Sequence, residues 1–360
     1  MVVMDTQKLL CSVLCCFLLS ILSGRQQAVQ GHHHHVPSNI RPLKLFVFGD
    51  SYADTGNTNK TQVAWKYPYG INFPGKPAGR FSDGRVLTDY VAKFLGLKSP
   101  IPYEGWKSSS CGIPLLKSGV NFAYGGTGVF DTFFSGPNMT IQIDSLEHLL
   151  RDNAFTAKDL ELSVSFVSLA GNDHFTYLRT NGSAHEGLQS FIRTVVNQLA
   201  INLKRIHGLG VKKIGVTGLE PWGSCLIPYI TDTSSFQQCN DTYSSLVSFH
   251  NLLLKQAVEK LNNETKDSPF FIIDLYASFT SALKNEGSIK FENPPLKPCC
   301  LGVSSEYFCG SLDENGAKKY TICENPKSAF FWDVAHPSQE GWRAVYSALQ
   351  ANLEQYFHYY

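Results

Sequence analysis

The chain has 360 residues, 43% hydrophobic and 17% charged, with 31 basic against 30 acidic side chains. That composition supplies a large apolar core and excludes a disordered or fibrous protein. A formal net charge of +1, without a long block of either sign, excludes the electrostatic footprint of a nucleic-acid binder, so no nucleic-acid partner is expected and a neutral substrate fits better.

Lys8, the apolar run Leu9 to Leu22 and the small residues Ser23 and Gly24 read as a secretory signal peptide over about residues 1–28. The run is shorter than the roughly 20 apolar residues that cross a bilayer, and no later segment supplies them, so no transmembrane anchor is expected. A soluble, secreted, extracellular protein follows. Residues 29–42, including His32 to His35, read as a flexible exposed segment rather than a metal site, because nothing there fixes coordination geometry. Of the ten cysteines, Cys11, Cys15 and Cys16 leave with the signal. The remaining seven imply local disulfides among Cys225 with Cys239, and among Cys299, Cys300, Cys309 and Cys323, with one thiol left over. The adjacent Cys299 and Cys300 lack the spacer usual between zinc ligands. Glycosylation acceptors begin at Asn59, Asn138, Asn181, Asn240 and Asn263.

From residue 43 the pattern alternates. Short apolar runs predict strands over Leu43 to Phe48, Gly119 to Tyr124, Leu162 to Leu169, Val211 to Leu219 and Phe270 to Leu275. Helical spacing runs through Val86 to Leu95, Leu188 to Ile206, Leu246 to Leu261 and Gly341 to Tyr356. Such alternation predicts a mostly parallel sheet covered on both faces. With no repeat or linker, residues 43–360 read as one domain. The stretch Asn293 to Pro326 breaks the alternation and reads as an irregular, disulfide-held excursion.

Three strands end in turns with chemical potential: Gly49-Asp50-Ser51, Gly125-Gly126 and Gly171-Asn172-Asp173. In a parallel sheet these turns share the edge where ligands bind. A serine held there becomes a nucleophile if a base takes its proton. Glycine lets a backbone N–H approach a developing oxyanion, and an asparagine amide adds a second donor. The base is supplied by Asp333-Val334-Ala335-His336-Pro337, where the carboxylate can fold back to orient the imidazole. His174, beside Asn172, reads as a partly exposed loop histidine, and His148, His207 and His250 as residues of packing or solvent faces.

Taken in this order, these blocks resemble the GDSL (SGNH) esterases and lipases, in particular the plant branch. The resemblance rests on Phe46 to Ser51, Asn121 to Gly126, Gly171 to Asp173 and Asp333 to Pro337, supported by Gly79 to Arg85 and Lys213 to Pro221, and covers nearly the whole mature chain. It implies a flavodoxin-like three-layer α/β/α sandwich with a mostly parallel five-stranded sheet. It also implies catalysis by Ser51, His336 and Asp333, with an oxyanion hole of Ser51, Gly126 and Asn172 and no metal or organic cofactor. Gly126 is preferred to Gly125 by alignment on Asn121. Tyr52 departs from the pattern, which has leucine after the serine, and an altered substrate fit is expected. The absence of Gly-x-Ser-x-Gly around Ser51 separates the chain from the α/β-hydrolases.

The expected activity is hydrolysis of a small-molecule, lipid or cell-wall ester through an acyl-enzyme. The same residues serve acyl transfer if an alcohol replaces water, and a non-catalytic cell-wall binding protein of the same fold is the third reading. Trp65, Tyr67, Tyr69, Phe130, Phe133 and Phe134 fall in stretches that could flank the cleft.

Overall fold

The computed structural model describes residues 44–169, 171–181, 187–221, 241–292 and 296–357. The predicted signal peptide, the His32 to His35 segment, Cys225, Cys239, Asn240 and the side chain of Asn181 lie outside the described residues. Six strands form the main sheet: β1 (Lys44–Gly49), β2 (Ile101–Pro102), β3 (Gly119–Asn121), β4 (Ser163–Ser168), β5 (Lys213–Thr217) and β6 (Phe270–Ile273). All are parallel, in the order β2-β3-β1-β4-β5-β6.

The expected count of five is thus corrected to six. The added strand, β2, pairs with β3 over only two residues at the sheet edge, and one of them is Pro102. Two residues show no hydropathic period, and a proline cannot donate to a ladder, so the strand is short and peripheral. Setting it aside, the other five run in flavodoxin order, with the chain reversing direction across β1.

The helices are α1 (Leu87–Phe94), α2 (Tyr103–Lys107), α3 (Met139–Arg151), α4 (Ala157–Glu161), α5 (Gly171–Asn181), α6 (Leu188–Gly208), α7 (Asp241–Asn263), α8 (Leu275–Leu283) and α9 (Gln339–Phe357). Alternate strand residues decide which helices cover which face. Phe46 and Phe48, with Ile214 and Val216, pack into the core that holds α3, α6 and α7. Leu45 and Val47, with Val164, Phe166, Phe271 and Ile273, face α1, α8 and α9. The stripe Ile192, Val195, Val196, Leu199, Leu203 and Ile206 buries one side of α6. At about 2 kcal/mol per buried aliphatic side chain, that stripe holds the helix where propensity alone would leave it marginal.

The cysteine-rich excursion is more regular than expected. It contains an antiparallel pair, β7 (Cys300–Gly302) with β8 (Tyr320–Ile322). Disulfides join Cys299 to Cys323 and Cys300 to Cys309, so the two adjacent cysteines take different partners. Among the described residues, no helix is long and apolar enough to cross a membrane.

Candidate active site

The site begins where β1 ends. Gly49 is pressed so closely on its neighbour that an added Cβ would lie 2.7 Å from the Ser168 carbonyl of β4. Its peptide groups are held from α3: the Gln142 amide accepts from the Gly49 N–H at 2.8 Å and donates to the Gly49 carbonyl at 3.0 Å. The chain then turns sharply, with the N–H groups of Ala53 and Asp54 donating back to the Asp50 carbonyl. Ser51 stands partly exposed at the crest of this turn.

His336 reaches it from the loop before α9. Its Nε2 lies 2.9 Å from Ser51 Oγ, and its Nδ1 lies 2.8 and 2.9 Å from the two Asp333 carboxylate oxygens. Asp333 is buried and also accepts from the Tyr69 hydroxyl at 2.7 Å and from the N–H groups of Ala335 and His336. Burial alone would raise its pKa. The neighbouring His336 and these donors outweigh it and hold the carboxyl below its usual range. The loop is fixed further by Ser82, whose hydroxyl donates to the Pro337 carbonyl, and by Asp83, which accepts from the Gln339 N–H. On its other side the disulfide module is hung by two backbone bonds, Cys299 N–H to Phe331 and Cys300 N–H to Trp332.

The loop after β3 and the start of α5 close the third side. Gly126 has φ of +85°, in the left-handed region, and a Cβ there would lie 2.6 Å from Phe134. The N–H of Gly125, by contrast, is already given to Asp54, whose carboxylate also accepts from Gly56, Asn57 and Thr58. The Asn172 amide donates to the Thr127 carbonyl at 3.0 Å and its nitrogen lies 3.5 Å from Asp50 Oδ2. Asn172 belongs to the first turn of α5 rather than to an open turn. Ser51, His336 and Asp333 are thus joined directly, and Asn172 is tied to the residue after Gly126 and set beside Asp50.

The match to the GDSL-like Lipase/Acylhydrolase family extends over residues 45–349. The chain belongs to that family. It is therefore a carboxylic ester hydrolase by class. It is 56% identical to the Arabidopsis thaliana GDSL esterase/lipase At5g03610, over 93% of each chain. It is 49% identical to GDSL esterase/lipase At3g09930 of the same plant, over 98% of this chain and 99% of that one. Among solved structures, an acetyl xylan esterase from Geobacillus stearothermophilus aligns over 88% of this chain and 94% of its own at 14% identity, with a TM-score of 0.34.

Several residues of this GDSL esterase/lipase escaped the motif reading. Tyr69 was visible only as one aromatic among several, yet it backs Asp333, and Gln142 interrupts an apolar helix face to clamp Gly49. Phe81, inside the Gly79 to Arg85 block, packs on His336 with ring centroids 5.0 Å apart and fills the space a side chain on Gly125 would need. Of the other aromatics, Phe134 leans on Gly126, while Phe133 and Tyr67 are more than half exposed. Asp50 is buried, and its carboxyl is pushed up to about 8, first by desolvation and then by Glu220 and Asp173. His174 is corrected: it is fully buried on α5, with Nε2 3.0 Å from Nδ1 of the equally buried His250 on α7. Among the described residues, no group of three or more His, Cys, Asp or Glu side chains could hold a metal ion.

Proposed function

We propose that this protein is a secreted serine esterase/lipase in which Ser51 is the nucleophile, His336 the base and Asp333 the residue that orients and charges His336. The observation that carries the reading is His336 itself, with one ring nitrogen on Ser51 Oγ and the other on Asp333. His336 takes the Ser51 proton as Oγ attacks the ester carbonyl, and Asp333 stabilises the imidazolium. The N–H groups of Ser51 and Gly126 and the Asn172 amide receive the oxyanion, the amide turning to it the hydrogen that makes the long 3.5 Å contact with Asp50 while it keeps the bond to Thr127. The imidazolium then protonates the leaving alcohol, and water activated by His336 releases the acid. No step calls on a metal or organic cofactor.

The catalytic domain runs over residues 43–360, behind a signal peptide of about residues 1–28 and the segment 29–42. In the secretory route Asn59 and Asn263, both exposed, are the readiest glycan acceptors. Asn138 caps α3 and donates to Asp131 at 2.8 Å, so glycan attachment there competes with an existing contact.

The reading is tested by treating the secreted protein with a fluorophosphonate and mapping the modified peptide. Labelling at Ser51, lost in His336→Ala, is expected; labelling elsewhere, or none in folded protein, overturns the assignment. Ser51→Ala should abolish turnover of a p-nitrophenyl ester while leaving the thermal transition in place.

A further inference from the structure

The Ser51 to His336 contact joins two segments 285 residues apart, and a proton moves well along it only if both are held to within a fraction of an ångström. Most anchors of the His336 loop come from elsewhere: Tyr69, Ser82 and Asp83 all belong to the excursion between β1 and α1. They fix the loop to that excursion and leave its distance from the nucleophile turn unset. A neighbour of the serine also spans that gap. Tyr52, next to Ser51, donates its hydroxyl to the Ala335 carbonyl at 2.9 Å, one residue before His336.

Its own placement is well determined. The ring meets Trp342 of α9 edge-on, with centroids 5.0 Å apart, stacks on Phe279 of α8 at 6.3 Å and stands edge-on to His336 at 5.9 Å. Its N–H donates to Asp50 Oδ1 at 3.0 Å. The phenol oxygen is therefore held on the His336 loop, and its ring between α8 and α9. Leucine, the residue the family pattern has here, would keep apolar contact with Trp342 and Phe279 but could make no bond to Ala335.

We propose that Tyr52 is a positioning residue whose hydroxyl, bonded to the Ala335 carbonyl, sets the distance between Ser51 and His336. The proposal rests on the serine-esterase reading above. Tyr52 makes no contact with the reacting ester; it acts by limiting the swing of His336 relative to Ser51, and so acts on the chemical step and not on substrate capture.

The deciding experiment compares wild type, Tyr52→Phe and Tyr52→Leu on a p-nitrophenyl ester, far below each thermal transition, with the rate of fluorophosphonate labelling measured alongside. Tyr52→Phe keeps the ring packing, so its transition should stay close to wild type while kcat and the labelling rate fall about tenfold and KM moves less than twofold. Tyr52→Leu should lose at least as much kcat. A Tyr52→Phe enzyme with wild-type kcat and labelling overturns the proposal, as does a loss confined to KM or to thermal stability. A wild-type protein that neither hydrolyses the ester nor labels at Ser51 overturns the serine-esterase reading, and the positioning role with it.

Discussion

Gln142 grips Gly49 on both sides of its Cα, one amide group accepting its N–H and donating to its carbonyl across 93 residues of sequence. Because Gly49 is the last residue of β1, this buried pair of bonds fixes the direction in which the chain leaves the sheet toward Ser51. Replacing Gln142 by leucine fills the space but strands the Gly49 N–H, while the Gly49 carbonyl keeps the Tyr124 N–H at 2.9 Å. A buried unsatisfied group costs about 1–3 kcal/mol, and chemical denaturation should report a loss of that size. Gln142→Glu, which keeps the acceptor only, should fall between.

Asp333→Asn tests the electrostatic role of the carboxylate apart from its bulk. The amide can still fill the site, but it loses the charge that stabilises the imidazolium and can hold the wrong tautomer. A fall in kcat of about 10³ to 10⁴-fold, with KM little changed, is expected from steady-state kinetics. Tyr69→Phe removes one of several donors to Asp333 and should cost less than about tenfold.

The buried Asp50 gives the enzyme an alkaline limb. With its carboxyl pushed up to about 8, it is neutral at neutral pH and gains a negative charge above that value, beside the Asn172 amide and one residue from Ser51. A charge there opposes the developing oxyanion, so kcat/KM should decline through about pH 8. The profile of Asp50→Asn should be flat across that range, whatever its absolute level. The linked effect on folding has the same sign. A carboxyl whose folded pKa is raised gives stability that is present in full below its unfolded value of 3.8 and is lost as pH rises from there to about 8. Asp54 and Asp173, both raised to about 6 by burial, add a smaller loss over a narrower window.

Disruption of Cys299–Cys323 should weaken more than the module it closes. The bridge spans 24 residues, for which loop closure gives about 3 kcal/mol in the denatured state. Since the backbone N–H groups of Cys299 and Cys300 support the segment leading into Asp333, the double Cys299→Ser, Cys323→Ser variant should lose activity at temperatures below its unfolding transition. Parallel activity and circular dichroism melts check the order of the two losses.

The parts of this architecture that were legible are those governed by local physics. Strands β1 and β3 to β6 are apolar runs bounded by turns, and α6 declares itself through Leu188, Ile192, Val195 and Leu199, all on one face. Helix α3 escaped although Met139, Ile143, Leu146 and Leu149 have helical spacing, for Gln142 breaks its buried face to serve a strand far away in sequence. His174 was misplaced for a related reason: its partner, His250, lies 76 residues on, and no local pattern announces a buried imidazole pair. Ser51, Asn172 and His336 could be picked out because turns at strand ends and a close Asp-His spacing are short-range signals. Tyr69, Gln142 and Tyr52 act through one or two long-range hydrogen bonds each, which leave no periodicity to read.

The separation of Ser51 from His336 also has a meaning in time. On the proposed mechanism the nucleophile is made 285 residues before its base, so a growing chain carries the serine through most of its synthesis with nothing to draw off the proton. The hydroxyl stays an ordinary alcohol until the His336 loop exists and α9 has seated Trp342 against Tyr52. On that mechanism a partly made chain is chemically silent, and hydrolytic power arrives only with completion of the fold.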